Sequence, residues 1–182
     1  MASGKTETLL ATAQLLAPQF DRLIAIKSTT DTRWDGMHVR ARSGLQLSAA
    51  SHDTLSGVRP QAGTLLVVDE AQFFPDLLNL FDRVLADKSV QCGLIAAGLD
   101  TDSHGRPFGQ VQDVAAVLEA RQDPNVFCES LFAVCSVPNC GRAAAYTAGA
   151  SSGRPVGQGQ VSVGDIGQYQ PMCAKHFNAH TR

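Results

Sequence analysis

The sequence predicts an α/β fold in which a mostly parallel β-sheet carries helices and is followed by a small tail. Short apolar runs that suit buried strands alternate with segments of helical periodicity along most of the 182 residues. After about residue 134 the composition changes, because cysteines, glycines and short Thr/Val/Tyr-rich pieces replace the long apolar runs. We therefore predict two domains, residues 1–133 and residues 134–182.

Three segments have the pattern of helices. Residues 4–17 place apolar side chains at helical spacing, and Pro18 ends this pattern. Residues 76–86 carry leucine, phenylalanine and valine on one face, and residues 111–118 form a third candidate. Residues 105–107 read as a turn.

Apolar runs predict the strands of the sheet. Arg22–Ser28 and residues 91–97 suit buried strands, and Thr64–Val68 (TLLVV) is typical of a parallel strand buried on both faces. Residues 126–133 are predicted to hold one more strand. Residues 29–44 are polar and contain two glycines, which indicates an irregular segment.

The bulk composition excludes several functional classes. Hydrophobic residues make up 44%, charged residues 18%, and the formal charge is -2, without a Lys/Arg block that would favour nucleic-acid binding. No apolar run approaches the ~20 residues of a membrane span, and the first residues lack the pattern of an export signal. We therefore expect a cytoplasmic protein that binds neither membrane nor nucleic acid. In that compartment its five cysteines are free thiols or metal ligands rather than disulfides.

A phosphate-binding motif opens the first helix. Ser3, Gly4, Lys5 and Thr6 match the last half of the P-loop signature G-x-x-x-x-G-K-[ST]. A glycine lets the backbone approach phosphate oxygens, the helix N-terminus offers unpaired N–H groups, the lysine reaches the β and γ phosphates, and the hydroxyl ligates Mg²⁺. An ordinary helix N-terminus is the alternative. The first glycine of the signature and the strand before it would lie upstream of Met1.

A second motif supports the first. Asp69 and Glu70 directly follow the predicted strand Thr64–Val68, where P-loop proteins place an acidic residue facing the phosphates. Asp69 is suited to hold Mg²⁺ through water, and Glu70 to take a proton from an acceptor hydroxyl or to orient it. The alternative is an acidic helix cap near Asp76. Together the two motifs predict a nucleoside-triphosphate site on a P-loop NTPase-like sheet with helices on both faces.

The tail contains two pairs of metal-ligand candidates about thirty residues apart. They are Cys135, Cys140, Cys173 and His176. Four nitrogen and sulfur ligands in two close pairs suit a structural zinc site. A tail with few core residues needs such a metal cross-link to fold stably. Incidental thiols are the alternative, and His180 is a weaker competitor for the histidine position. Cys92 and Cys128 lie in apolar segments and are interpreted as buried small hydrophobes.

The motifs together resemble one family. The segment D-E-A-Q-F-F-P-D at residues 69–76 resembles the D-E-[GA]-Q-F-F-x-D signature of thymidine kinases of the zinc-containing cellular and bacterial type. Further matches follow in the family's order. They lie at residues 1–6 (the end of the family's G-P-M-x-S-G-K-[ST]), 31–34 (D-T-R-W, which resembles the family's D-T-R-Y), 98–109 (G-L-D to P-F-G), 145–147, 163–164, 169 and 173–176.

The resemblance implies an activity and roles for single residues. The family transfers the γ-phosphate of ATP to the 5′-hydroxyl of thymidine with Mg²⁺, works as a homotetramer, and covers the nucleoside with a zinc-binding lasso domain. By position, Glu70 resembles the general base, and Arg33 a residue that stabilises phosphate charge. Lys5 and Thr6, within the ATP-binding run that begins at Ser3 and Gly4, resemble the phosphate and Mg²⁺ contacts, with Asp69 supporting the metal.

The resemblance also implies a thymidine pocket. Its positions are Phe73, Leu99, Phe108, Thr147 and Tyr169, with Ser162, Val163 and Gly164 of the lasso holding the base partly through backbone groups. Met1 falls at a pocket position as well. For each aromatic residue the alternative is an ordinary place in the core.

Three features depart from the family pattern. The start of the phosphate loop is absent, Ser103 and His104 stand where many members have Phe-Arg, and the spacing from Cys135 to Cys140 is two residues longer than usual. Two alternative functions therefore stay open. One is a kinase for another deoxynucleoside, of which deoxyuridine is the nearest. The other is an N-terminally truncated, inactive remnant that acts at most as a nucleotide- or protein-binding module.

Overall fold

The computed structural model describes residues 3–32, 37–86, 91–149 and 168–181. The larger part of the chain contains three helices and five strands. In chain order they are α1 (Lys5–Leu16), β1 (Arg22–Ser28), β2 (His38–Arg40), β3 (Gln46–His52), β4 (Thr64–Val68), α2 (Leu77–Ala86), β5 (Cys92–Ala96) and α3 (Val111–Arg121).

The five strands form a single sheet in the order β2-β3-β1-β4-β5. β2 pairs with β3 in antiparallel fashion, whereas β3, β1, β4 and β5 are parallel. In the central register Ala25 lies beside Val67, and Val67 lies beside Ile95. The carboxyl ends of β1, β4 and β5 therefore meet at one edge, which we call the carboxyl edge.

Helices cover both faces of this sheet, as the sequence predicts. On one face Leu9 and Ala13 of α1 pack against Val67. On the other face α2 and α3 contribute Leu80 and Leu118 to a core with Leu66. β4 is fully buried because it lies inside the sheet and between the two helical layers, and this explains its continuous apolar sequence.

The end of the chain forms a small separate assembly, here called the C-terminal unit (residues 133–149 and 168–181). Its elements are β6 (Ala133–Val134), β7 (Ala143–Ala144), β8 (Tyr146–Gly149), β9 (Tyr169–Met172) and α4 (Ala174–His180). β6 pairs with β7, and β8 pairs with β9, each in antiparallel fashion. Its apolar core is small, centred on Ala148, Met172 and Phe177. The domain boundary near residue 134 stays a prediction.

Two expectations for this fold are wrong. Residues 29–44 contain the strand β2, and β3 follows it directly. These strands escape a sequence pattern because serine, alanine and histidine dominate β3, whose place is fixed by pairing with β1. Residues 126–132 form no strand, and only Ala133–Val134 pairs. Two of the large apolar residues there face outward instead, since Phe127 is 84% exposed and Phe132 57% exposed.

A further expectation is wrong in part, because Cys128 is exposed and Cys92 only half-buried, whereas both were predicted to be buried small hydrophobes. The predicted helices and the other predicted strands are present, with small shifts of their ends. α3 runs three residues beyond its predicted end, to Arg121. The Gly/Ser-rich segment 148–159 lies outside the described residues after Gly149. Within the described ranges, every helix is too short or too polar to span a bilayer.

Candidate active site

The first helix begins at the carboxyl edge. Gly4 has φ 81° and ψ 12°, a left-handed conformation that glycine adopts without strain, and its carbonyl accepts the first helical bond from Thr8 at 2.9 Å. Lys5 and Thr6 are thus placed on the first turn, beside the half-buried Ser3. The helix N-terminus brings its unpaired N–H groups and positive dipole end to the same place.

The two acidic residues after β4 meet this turn. The Lys5 ammonium lies 2.7 Å from a carboxylate oxygen of Glu70 and 3.7 Å from one of Asp69. The Thr6 hydroxyl donates to the Asp69 carboxylate, with both oxygens at 3.3 Å. Asp69 and Glu70 are 5% and 4% exposed. The structure thus brings together the two motifs that the sequence predicts to cooperate.

Glu70 adopts an unusual backbone conformation. Its φ of 50° and ψ of 46° are left-handed, which is uncommon for a residue with a side chain and is often found at functional sites. The side-chain amide of Gln72 donates to its carboxylate at 2.6 Å. The carbonyl oxygen of the same amide accepts from the backbone N–H of Leu99 at 2.9 Å. Gln72 therefore fixes Glu70 to the segment after β5.

Sequence reasoning placed Gln72 only within a signature and gave it no role. The sequence signal for such a role was its position two residues after Glu70, in the turn that follows β4. Its burial, with 4% exposure, shows that the amide belongs to the interior of the site.

Part of the predicted pocket lies against Gln72. The rings of Phe73 and Phe108 meet edge to face, with centroids 5.6 Å apart and planes at 83°. The segment with Phe108 approaches so closely that a Cβ on Gly109 would lie 2.2 Å from the Gln72 carbonyl oxygen. The Phe73–Phe108 ring pair and the Leu99 N–H therefore lie on segments that contact Gln72, the residue that holds Glu70.

A tight turn projects from this segment. The Asp102 carboxylate accepts hydrogen bonds from the backbone N–H groups of His104 at 2.8 Å and Arg106 at 2.9 Å, and from the Arg106 guanidinium at 3.0 Å. Burial raises the pKa of Asp102, but these donors and the Arg106 charge lower it by more, so the net pKa is below its usual value. Next to them, Gly105 contacts the C-terminal unit at Phe177 and Tyr146.

Two further pocket candidates lie in the C-terminal unit. Thr147 and Tyr169 are 7% and 8% exposed and belong to the paired strands β8 and β9. The other predicted site residues lie outside the described residues. They are Arg33, Ser162, Val163 and Gly164, together with Met1.

The four predicted metal ligands converge, and their ligand atoms all lie within 4.8 Å of one another. The Cys140 and Cys173 sulfurs are 3.8 Å apart, and Nδ1 of His176 lies 3.4 Å and 3.5 Å from the sulfurs of Cys135 and Cys173. Tetrahedral zinc with its usual bond lengths separates two sulfurs by about 3.8 Å, and a sulfur from a nitrogen by about 3.6 Å. The donor set therefore fits zinc in both chemistry and spacing.

The charge state of the thiols agrees with a cation site. Burial raises the pKa of Cys135, but backbone N–H groups of Cys173 and Val137 and the His176 ring lower it to about 6. The backbone N–H of Arg142 lowers the pKa of Cys140, yet burial and the neighbouring thiols raise it by more. The opposite pKa shifts mean that a negative charge on Cys135 disfavours one on Cys140. A divalent cation would stabilise both thiolates at once.

The phosphate end of the site suits a different metal. Thr6 and Asp69 offer hydroxyl and carboxylate oxygens side by side, the hard donors that Mg²⁺ prefers. A parallel sheet with a lysine-bearing helix N-terminus and an acidic pair at its carboxyl edge defines a P-loop nucleotide-binding protein.

Comparison with known proteins narrows this class. The family model described as "Thymidine kinase" matches residues 1–177. The chain belongs to the thymidine kinase family. Membership supports phosphorylation of thymidine as its activity and does not favour an inactive remnant.

Curated relatives agree along nearly the whole chain. Thymidine kinase of Mesomycoplasma hyopneumoniae (strain 7448) is 30% identical over 177 residues, which cover 95% of this chain and 88% of the relative. Thymidine kinase of Porphyromonas gingivalis (strain ATCC 33277) is 31% identical, with 95% and 78% covered. Thymidine kinase of Coprothermobacter proteolyticus is 33% identical, with 97% and 85% covered.

Proposed function

We propose that this chain transfers the γ-phosphoryl group of Mg-ATP to the 5′-hydroxyl of thymidine. The observation that carries the proposal is the cluster of Lys5, Thr6, Asp69 and Glu70 at the carboxyl edge, with the Phe73–Phe108 pair beside it. Phosphoryl transfer needs mainly positioning and charge stabilisation, and this cluster offers both.

The residues of α1 act on the phosphates. In the structure the Lys5 ammonium pairs with the Glu70 carboxylate at 2.7 Å. We infer that Lys5 turns to the β and γ phosphates when the nucleotide binds. The backbone around Ser3 and Gly4 and the dipole of α1 favour the negative charge. Magnesium, when bound, neutralises charge on the β and γ phosphates, and Thr6 and Asp69 would hold it.

Glu70 acts on the acceptor. The Glu70 carboxylate accepts the proton of the 5′-hydroxyl as the hydroxyl oxygen attacks the γ-phosphorus and the bond from that phosphorus to ADP breaks. Gln72 orients the carboxylate by donating to one of its oxygens. Arg33 completes the proposal by stabilising the charge of the transferred group.

Two sets of residues hold the nucleoside. Phe73, Leu99 and Phe108 form the wall next to Glu70, and Thr147 and Tyr169 approach from the C-terminal unit. The base is held by backbone groups, at residues Ser162, Val163 and Gly164. A cover of this kind excludes water, which protects ATP from hydrolysis.

Structural zinc at Cys135, Cys140, Cys173 and His176 belongs to the same proposal, because its spacing fits and the unit's apolar core is small. We further propose a cytoplasmic homotetramer. The exposed side chains of Phe127, Phe132 and Val134, which are 84%, 57% and 68% exposed, support association with other copies.

The test is a kinase assay with Mg-ATP and a panel of thymidine, deoxyuridine and deoxycytidine. Thymidine monophosphate is the expected product, and turnover of deoxycytidine alone would contradict the proposal. Glu70→Gln should lower kcat by about 10² to 10⁴ and leave both KM values nearly unchanged, since only proton transfer is removed. Glu119→Gln, at an exposed position of α3, is the matched control and should keep full activity.

A further inference from the structure

The helix α4 carries candidate metal ligands and an aromatic contact on the same turn. Cys173 precedes the helix, His176 and Phe177 follow within it, and the Phe177 N–H donates to the Cys173 carbonyl at 2.9 Å. Cys173 and His176 belong to the metal cluster. Phe177 is 5% exposed and packs with Ala148 and Met172. Because a helix of seven residues is too short to be stable alone, the cluster and this packing fix where the Phe177 ring lies.

The Phe177 ring meets the turn that follows β5 at a glycine. A Cβ on Gly105 would lie 3.0 Å and 3.3 Å from two atoms of this ring, and 3.6 Å from the ring of Tyr146. The rings of Tyr146 and Phe177 stack with centroids 4.5 Å apart and planes at 14°. Since Gly105 has φ 75°, the turn needs a glycine both for its backbone conformation and for this close approach. The two stacked rings therefore form the surface against which the turn rests.

Backbone hydrogen bonds connect the tip of this turn to its base. The Asp102 N–H donates to the Arg106 carbonyl at 2.8 Å, and the Phe108 N–H donates to the Asp100 carbonyl at 3.0 Å. These bonds cross the turn below Gly105, so its two arms move together. Phe108 is a residue of the proposed nucleoside pocket. A displacement of the turn at Gly105 is therefore transmitted to one wall of that pocket.

The other side of the contact leads to the pocket candidates of the C-terminal unit. Tyr146 directly precedes Thr147 in β8, and β8 pairs with β9 so that Gly149 lies beside Tyr169. Thr147 and Tyr169 are the residues of this unit that the proposed function assigns to thymidine. Phe177 therefore contacts both of the segments that carry the proposed pocket, one through Gly105 and the other through Tyr146.

We propose that Phe177 is a positioning residue of the nucleoside site and couples this site to the metal cluster. The metal ligands at the start of α4 set the place of the Phe177 ring, and the ring holds the turn at Gly105 against Tyr146. Coupling between two binding sites is reciprocal, so thymidine bound across this contact slows the loss of zinc from the cluster. This inference rests on the proposed function, and it assigns to Phe177 no contact with substrate.

The first test measures the loss of zinc and needs no catalysis. The zinc-loaded wild-type chain is mixed with an excess of a colorimetric chelator, with and without saturating thymidine and in the absence of ATP. Thymidine should slow the transfer of zinc to the chelator by about fivefold or more. Equal rates with and without thymidine would overturn the proposal.

The second test removes the ring. Phe177→Leu keeps an apolar side chain in the core of the unit but takes away the surface beneath Gly105. The protection of zinc by thymidine should nearly vanish, and the KM for thymidine should rise by about tenfold with kcat and the KM for ATP nearly unchanged.

Phe20→Leu is the matched control, because the Phe20 ring lies against Gly93 of β5 and not against the turn. It should lower Tm, since it removes part of the core under α1, and keep both the protection of zinc and the KM for thymidine. Full protection of zinc in Phe177→Leu, or an equal loss of protection in Phe20→Leu, would overturn the role of Phe177.

A Phe177→Leu chain that does not hold zinc is replaced by Gly105→Val, which disturbs the same contact from the turn and leaves the C-terminal unit unaltered in sequence. This variant should lose the protection of zinc by thymidine, and full protection would overturn the proposal. A wild-type chain that phosphorylates thymidine but loses zinc equally fast with and without it refutes the coupling and leaves the proposed function standing. Slower loss of zinc with thymidine in a chain that transfers no phosphate supports the coupling, whereas the proposed function then fails.

Discussion

At the scale of single residues, the site depends on how Glu70 is held. A left-handed glutamate directly after a buried strand is strained, and the strain persists only when neighbours fix it. Gln72 fixes the side chain, and the Ala71 N–H donates to the Ala97 carbonyl at 2.9 Å to fix the backbone. The carboxylate therefore has one orientation before any substrate binds, which limits the reorganisation that catalysis requires.

Replacing Gln72 tests this arrangement. Gln72→Leu keeps the size but releases Glu70 and leaves the Leu99 N–H without its acceptor. We expect kcat to fall by about a hundredfold through misplacement of the base, and the free energy of unfolding to fall by about 1–3 kcal/mol. Steady-state kinetics and urea unfolding measure the two effects.

Gln110→Leu is the matched control for this substitution. Its side-chain oxygen likewise accepts a backbone N–H, that of Leu78 at 3.0 Å, but this bond fixes the start of α2 and not the Glu70 carboxylate. A similar loss of stability with unchanged kcat is expected. If both variants lost kcat equally, Gln72 would have no special link to Glu70.

Asp102 gives a pH-dependent prediction. Its pKa in the folded chain is below its usual value of about 4, so it stabilises the fold above that pH and loses this contribution as the pH falls through the folded-state pKa. Asp102→Asn should therefore cost about 1–3 kcal/mol at pH 7, and the difference from wild type should shrink below about pH 4. Urea unfolding across pH measures it. A constant difference down to pH 3, or one no larger than that of the exposed Asp113→Asn, would contradict this account.

At the scale of elements, the strands that a sequence pattern predicts are those buried on both faces. β1 matches its predicted bounds Arg22–Ser28, and β4 matches Thr64–Val68, because central strands between two helical layers must be continuously apolar. β3 is exposed along much of its length, so its sequence has no such constraint and only pairing with β1 defines it. Residues 126–132 show the reverse case, in which the apolar side chains of Phe127 and Phe132 stay on the surface.

The candidate site could be predicted where its functional residues are neighbours in the sequence. Lys5 and Thr6 lie on one turn, Asp69 and Glu70 follow one strand, and each pair carries a recognisable motif. Gln72 was not assigned a role because its two hydrogen bonds, to Glu70 and Leu99, join segments that only the fold brings together.

We expect a metal ion bound at the cluster of Cys135, Cys140, Cys173 and His176 to hold the C-terminal unit together. α4 has only seven residues, and the strands beside it have two to four, too few to fold alone. Cys173→Ser, or a strong chelator, should release zinc and expose this unit to proteolysis while the five-stranded sheet stays folded. Metal analysis and limited proteolysis check both points.

Cys92→Ala is the matched control, because this half-buried thiol lies in β5, outside the cluster. It should retain full zinc content and an unchanged cleavage pattern. Resistance of the Cys173→Ser unit to protease at wild-type levels would show that packing, not metal, holds the unit.

At the scale of the whole molecule, the turn after β5 connects the sheet to the C-terminal unit. Its base is closed by the Asp102 hydrogen bonds, and its tip at Gly105 meets Phe177 of α4 and Tyr146 of β8. Those two rings stack at 4.5 Å, so the contact surface is rigid. The same segment carries Leu99 at the Gln72 amide, so one piece of chain touches both halves of the proposed nucleoside pocket.

Gly105→Val should separate these halves. A Cβ at this position would lie 3.0 Å from the Phe177 ring, and the φ of 75° strains any side chain. If the nucleoside is held between the sheet and the C-terminal unit, the KM for thymidine should rise by about tenfold or more. The KM for ATP should stay nearly unchanged, because the residues proposed to bind phosphate lie on α1 and directly after β4. Gly44→Val has the same left-handed strain, with φ 96°, but no atom within 4 Å, so it should cost stability alone. An equal rise of both KM values in Gly105→Val, or a rise in Gly44→Val as well, would mean that the substitution acts through general unfolding. Zinc content at the wild-type level would confirm that the C-terminal unit itself stays intact. A selective rise in the KM for thymidine would then report on the contact between the sheet and the C-terminal unit.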